Sequence, residues 1–305
     1  MREEKSCIPA NPKGNSDVIS REYLNSFCFE ERLIGTSIDP DISTSFFGVS
    51  VSTPIMSGAL SGLNGVRENG VLEAALAMKE MNSIFWLGVS PDEDVTTAAE
   101  TGVHLIEIFK PYQDENLVYH KIDLDKKAGC IATGTDLDHC VSSSGGLDED
   151  RYGNKLAPMS LETLKKYIAA CEGLPFVVKG VLSVRDALLA AEAGASAIVL
   201  SHHHNIFPFA IPPLKVLPEI RKAVGKKLKI FADGQINDGY DAFKAMALGA
   251  DGVLVGRALL SHLVKNGKEG VCEYLGTMGN QMKGMMARTC TPSIQKIDPA
   301  ILRCL

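Results

Sequence analysis

Short, almost purely apolar runs recur through the second half of this chain, and each ends in glycine or a polar residue. Phe176-Val177-Val178-Lys179-Gly180, Ala197-Ile198-Val199-Leu200-Ser201, Lys229-Ile230-Phe231-Ala232-Asp233-Gly234 and Gly252-Val253-Leu254-Val255-Gly256-Arg257 show no polar alternation. That is the pattern of parallel strands covered on both faces. Between them, residues 183–193, 213–224 and 238–248 carry apolar residues at three-to-four spacing among Ala, Leu, Lys and Glu. These predict crossover helices. Strand and helix in regular alternation predict an α/β fold of the (β/α)8 TIM-barrel type, whose active sites lie where strands run out into βα loops. Lys179, His203, Asp233 and Arg257 are then expected on one rim.

The front half continues the rhythm. Strands are predicted at residues 53–58, 83–88, 104–109 and 129–135, and helices at 71–81, 92–101 and 117–127. The pattern breaks at residues 136–158, a polar segment containing Ser142-Ser143-Ser144-Gly145-Gly146, which predicts an active-site loop above the rim. Residues 1–26 are polar, with Pro9, Pro12 and Gly14, and predict a loose arm that is helical only after Ser20. The 305 residues suit one barrel of about 250 residues with a short extension, hence a single domain over 1–305.

Composition narrows the function classes. A net charge of −6 gives no general attraction for nucleic acid or an anionic membrane. The eight cysteines are scattered without a C-x-x-C pair, and no apolar run reaches the length of a membrane span, which predicts a reduced, cytoplasmic protein.

The strand ends carry the candidate chemistry. Asp233-Gly234 and Gly256-Arg257 stand in the loops after the last two strands, where barrels often bind a phosphate with backbone N–H groups, a helix N-terminus and a guanidinium. Read more plainly, the glycines form turns and Arg257 pairs with a carboxylate. Lys179 closes an apolar strand, so its ammonium is expected to face a ligand, as an electrostatic partner or a Schiff base. His202-His203-His204 admits a general base, a metal site or an ordinary loop. As a strand it would place His202 and His204 on one face and His203 on the other. No third ligand at metal-site spacing accompanies it, so no metal is expected.

Val178-Lys179-Gly180-Val181-Leu182 with Asp186-Ala187, Glu192-Ala193-Gly194-Ala195, Val216-Leu217-Pro218-Glu219-Ile220, Ala232-Asp233-Gly234 and the run from Asp241 to Arg257 resemble the FMN-dependent 2-hydroxy acid oxidase and dehydrogenase family. Asp39-Pro40-Asp41-Ile42-Ser43-Thr44 resembles its entry into the barrel, and the likeness spans roughly residues 30–290. The resemblance implies bound FMN. It implies His203 as the base that removes a carbinol proton, Asp136 as the carboxylate orienting it, and Lys179 as the cation beside flavin N1 and O2. Asp233, Gly234, Gly256 and Arg257 match the phosphate pocket. Ser57, Gly58, Ala59, Gly88, Glu107, Ser201, Gln235 and Asn237 complete the expected cofactor contacts. A small-molecule substrate and a homo-oligomer are also implied.

The departures cluster on the substrate side. Ile206 stands where the family has the arginine that grips a substrate carboxylate, Glu107 and Phe109 where a glutamine and a tyrosine are usual, and Asn237 in place of a second phosphate arginine. Lys110, Arg151 or Lys155 could supply the missing cation, or the substrate could lack a carboxylate. A flavin oxidoreductase acting on a 2-hydroxy acid or related hydroxylated molecule is the leading reading. A non-redox enzyme resembling type 2 isopentenyl diphosphate isomerase and a non-catalytic FMN- or phosphate-binding subunit are the alternatives.

Overall fold

A strand covered on both faces favours apolar residues, and eight largely buried strands pair with one another in parallel. The computed structural model describes residues 14–36, 38–142 and 145–305, so Ser143 and Ser144 of the predicted loop and the first 13 residues lie outside the described residues. The parallel strands are β1 (Ile55–Ser57), β2 (Ile84–Leu87), β3 (His104–Phe109), β4 (Ala132–Asp136), β5 (Phe176–Lys179), β6 (Ala197–Leu200), β7 (Lys229–Ala232) and β8 (Gly252–Val255). Each pairs with its neighbours in chain order and β8 returns to β1. The remaining seam, β1 to β2, closes through a bridge between Leu60 and Leu87, and the Ser57 hydroxyl accepts from the Trp86 backbone N–H at 2.8 Å. The fold is a (β/α)8 TIM barrel.

Alternation along each strand divides the interior into two cores. Met56, Trp86, Ile106, Ile108, Val177, Val199, Phe231 and Leu254 fill the barrel. Trp86 and Phe46 meet the Phe231 ring edge-on at 5.2 and 5.1 Å, Phe46 arriving from a hairpin of Thr44–Phe46 and Val49–Val51. Leu105, Phe109, Phe176, Val178, Ile198 and Ile230 point outward against the helices.

Besides a single turn at Leu63–Val66, the α-helices among the described residues are α1 (Ser16–Asn25), α2 (Gly70–Glu80), α3 (Asp92–Glu100), α4 (Glu115–Ala128), α5 (Leu161–Ala170), α6 (Val184–Ala193), α7 (Pro213–Val224), α8 (Gly239–Ala247) and α9 (Arg257–Arg288). Side-chain oxygens of Asp114, Ser160, Ser183 and Asp238 accept from first-turn N–H groups of α4, α5, α6 and α8. α9 is two helices joined at Gly267, whose φ of 61° no β-carbon residue adopts easily.

The arm differs from its expectation. Asn15 caps α1, which starts at Ser16 rather than after Ser20 and docks on the barrel rim instead of lying loose. The Ser16 N–H donates to Asn205 Oδ1 at 2.6 Å, and Arg21 bridges to both Asp241 oxygens at 3.0 and 2.7 Å. These partners lie some two hundred residues away in sequence, which is why a local reading left the arm free. The predicted 136–158 loop contains a helical turn, Leu137–His139, and bridges pairing Glu149 with Lys155 and Tyr112 with Leu156. No helix among the described residues is long and apolar enough to cross a membrane.

Candidate active site

The C-terminal ends of β1, β5, β6, β7 and β8 line a cleft. Gly58 and Ala59 line one wall, and an added β-carbon on Gly58 would come within 3.0 Å of the Gly256 backbone, so only glycine lets β1 and β8 approach this closely. Gly234, at φ 93°, turns the chain after β7 so that Gln235 and Asn237 also face the cleft. Gly256 and Arg257 open α9 on the same wall, which aims a helix N-terminus into the space. Lys179 and Asp233 form the floor.

The donor set fits FMN. Free backbone N–H groups at the start of α9 and a half-exposed Arg257 suit a phosphate, and the buried Lys179 ammonium suits an electron-rich ring edge. Arg257 also pairs with Asp17 of α1 at 2.5 Å, so the plainer reading of this arginine holds for part of its guanidinium.

His203 is held by carboxylates from the β4 end. Its Nδ1 lies 3.1 Å from Asp136 Oδ2 and 3.1 Å from Asp138 Oδ1. Asp136 is shared: Lys110 Nζ reaches its Oδ2 at 2.9 Å and Lys179 Nζ its Oδ1 at 3.2 Å. Burial pushes the Asp136 carboxyl up, but Lys110, Lys179 and His203 together hold it well below the usual carboxylate range. Burial and Lys179 oppose charge on His203, and Asp136 and Asp138 outweigh them, so its pKa is raised. Lys179 is likewise raised, burial being overcome by Asp136, Asp138 and Asp233. Burial raises Asp233, whose carboxylate takes a hydrogen bond from Ser201.

The three histidines do not alternate as a strand. His203, His204 and Asn205 all take positive φ, 44°, 54° and 67°, a run of left-handed residues that curls the chain over the barrel mouth. His203 and His204 therefore face the cleft together, while His202 turns away and its Nε2 meets Ser20 Oγ at 2.9 Å. Burial, Arg257 and His203 push His204 down to about 3.

Nine expected cofactor residues line the cleft: Gly58, Ala59, Lys179, Asp233, Gly234, Gln235, Asn237, Gly256 and Arg257. Four do not. Ser57 is spent on the barrel seam, and a β-carbon on Gly88 would strike Ser61 and Ala59. Ser201 Oγ accepts from the His203 N–H at 3.1 Å and lines a neighbouring pocket. Glu107 is a correction: it sits on the outward face of β3, its Oε1 2.9 Å from Lys121, far from the barrel axis side where Ile106, Ile108 and Lys110 point. Phe109 faces the helices with it.

Asp138 and His139 join the site without having been assigned to it, and Lys110, one of the three candidate cations, is brought to it by its ion pair with Asp136. His139 Nε2 lies 3.2 Å from His203 Nε2. Lys110 was open to reading because it directly follows β3; the Asp138-His139 pair lies in an aperiodic loop and gave no signal. The neighbouring pocket is lined by Val141, Leu182, Ile206, Phe207, Pro208 and Ile211 beside Asp138. Arg151 and Lys155 are largely on the surface and outside both spaces.

Known proteins resemble this chain over most of its length. Glycolate oxidase 3 of Arabidopsis thaliana is 26% identical over 319 residues, covering 92% of this chain and 85% of the relative. L-lactate oxidase of Lactobacillus jensenii is 26% identical over 311 residues, covering 92% and 76%. A mandelate oxidase variant solved with a monooxide FMN adduct superposes with a TM-score of 0.83 at 26% identity, over 95% of this chain and 91% of that one. The profile of FMN-dependent dehydrogenases matches residues 14–169 and 146–304. With a cleft whose donors fit that cofactor and a match along nearly all of its length, this chain is an FMN-dependent oxidoreductase and belongs to the FMN-dependent dehydrogenase family.

Proposed function

We propose that the protein oxidises a 2-hydroxy acid, or a related hydroxylated small molecule, carrying an apolar substituent, with His203 as the base. The observation that carries this reading is the His203 imidazole, fixed through Nδ1 by Asp136 and Asp138 and set in the cleft beside Lys179. Bound FMN supplies the hydride acceptor. With Nδ1–H donated to the two carboxylates, Nε2 carries the lone pair that takes the carbinol proton. The carboxylates then stabilise the imidazolium, and Lys179 keeps positive charge at the cleft floor.

Substrate shape follows from the neighbouring pocket. Ile206 and Phe207 offer no donor to an anion, so an apolar group fits beside them. A substrate carboxylate would find its cations in Lys110 and Lys179, which Asp136 now engages. The relatives act as oxidases, which favours neither the isomerase-like nor the non-catalytic alternative. Seven described cysteines are all free, which supports a reducing, cytoplasmic setting, and the family likeness supports a homo-oligomer.

A turnover panel of 2-hydroxy acids with side chains of increasing apolar size, each paired with its amide and its simple alcohol, tests the reading. Rates should rise with apolar size. Failure of every member to turn over would sink it, and equal rates for acids and alcohols would remove the carboxylate from the description.

A further inference from the structure

Two imidazoles confront each other above the rim. The His139 and His203 rings stand edge to face with centroids 4.2 Å apart, and their Nε2 atoms are separated by 3.2 Å. Each ring has a carboxylate at its other nitrogen. His203 Nδ1 has Asp136 and Asp138 at 3.1 Å, and His139 Nδ1 has Asp148 Oδ2 at 3.6 Å. On His203 the carboxylates are close enough to hold the proton at Nδ1 and leave the lone pair on Nε2, and Asp148, beyond hydrogen-bond reach, favours the same tautomer on His139 electrostatically. The two Nε2 atoms are then close enough to share a cation.

The spacing suits a metal ion. Two imidazole nitrogens about 2.0–2.1 Å from a tetrahedral zinc stand roughly 3.3 Å apart. A third donor is at hand: Asp138, His139 and His203 each bring a ligand atom within 4.8 Å of the others. Asp138 Oδ2 is buried and has no hydrogen-bond partner, its nearest cation being Lys179 at 4.0 Å. Two imidazoles and a carboxylate, with carboxylates behind the rings, form the donor set of divalent zinc-class ions.

We propose that Asp138, His139 and His203 form a binding site for a divalent transition metal of the zinc class, and that its occupancy takes His203 Nε2 away from the substrate. The site shares His203 with the flavin cleft and draws its other two ligands from the loop after β4. The metal-binding claim rests on geometry alone. The inhibition rests also on His203 acting as base, so the two claims fail separately.

The test is calorimetric titration of ZnCl₂ into the FMN-loaded full-length protein, free of any polyhistidine tag. One ion per chain is expected. His139→Ala should abolish the binding, and Asp148→Asn should weaken it by roughly 10–100-fold. With a hydroxy-acid substrate, Zn²⁺ should inhibit the wild-type protein reversibly on chelation, and His139→Ala should be insensitive. Absence of stoichiometric binding, or equal binding by His139→Ala, would overturn the site and leave a shared proton between the rings. Should His139→Ala not fold, Co²⁺ added to the wild-type holoprotein decides: a tetrahedral ligand-field spectrum supports the site, and an octahedral one refutes it.

Discussion

Glu107 and Asp136 are both buried carboxylates on adjacent strands, each with a lysine at 2.9 Å, yet the fold drives them in opposite directions. Asp136 points into the barrel mouth and meets three cations, Lys110, Lys179 and His203, which keep it ionised against its burial. Glu107 points outward between β3 and α4. There burial and the neighbouring Asp125 raise it well above its usual value, Lys121 only partly compensating, and its Oε2 has no partner. Asp125 itself is raised to about 6, chiefly by burial. The pair shows that burial does not decide a carboxylate's charge; the balance of cations and acids around it does. It also shows that one step of strand parity separates a residue at the chemistry from one in the wall.

Asp136→Asn is expected to break the inner cluster most severely. It strips Lys110, Lys179 and His203 of their shared counter-charge, and an uncompensated buried charge costs about 3–5 kcal/mol. Denaturant unfolding should show that loss, and substrate-driven flavin reduction should slow by about 10²-fold. The native contribution of Asp136 is present above the ordinary carboxylate range and disappears as pH falls through its depressed pKa, so the difference between variant and wild type should shrink in acid.

Lys110→Met removes one cation and leaves Asp136 with two. A loss of about 2 kcal/mol is expected. Asp136 is then freer to stabilise the imidazolium, so the ascending limb of the pH–kcat/KM profile, which tracks neutral His203, should move to higher pH. A shift to lower pH would mean that Lys110 does not act through Asp136.

Glu107→Gln should change least, within about 1 kcal/mol at neutral pH, with flavin reduction unaltered. Because the folded pKa of Glu107 is raised, its contribution is fully present below the unfolded value and is lost as pH rises through the folded one. The glutamine variant should therefore lose less stability than wild type on going alkaline, as thermal melts across pH will report.

The same comparison explains what the sequence could show. Strands β5 to β8 were legible because apolar runs ending in Lys179, Asp233 or Gly256-Arg257 carry both the element and its terminus. Strand β3 was legible as an element, but all of its residues from Leu105 to Phe109 are buried, so no polar alternation revealed which side faced inward. Glu107, placed at the cofactor by its match to a family glutamine, faces the helices instead. The histidine turn was hidden because three consecutive left-handed residues without glycine leave no local mark. Asp138, His139 and α1 meet the site across more than sixty and nearly two hundred residues respectively, contacts that only the closed barrel creates.

The central claim, that His203 held by Asp136 takes the carbinol proton, is tested most directly by anaerobic mixing of a 2-hydroxy acid with wild-type protein and His203→Ala, following the flavin absorbance. The wild-type flavin should bleach, and the variant should retain its FMN yet bleach roughly 10²–10⁴-fold more slowly. Bleaching of the variant at the wild-type rate would contradict the account.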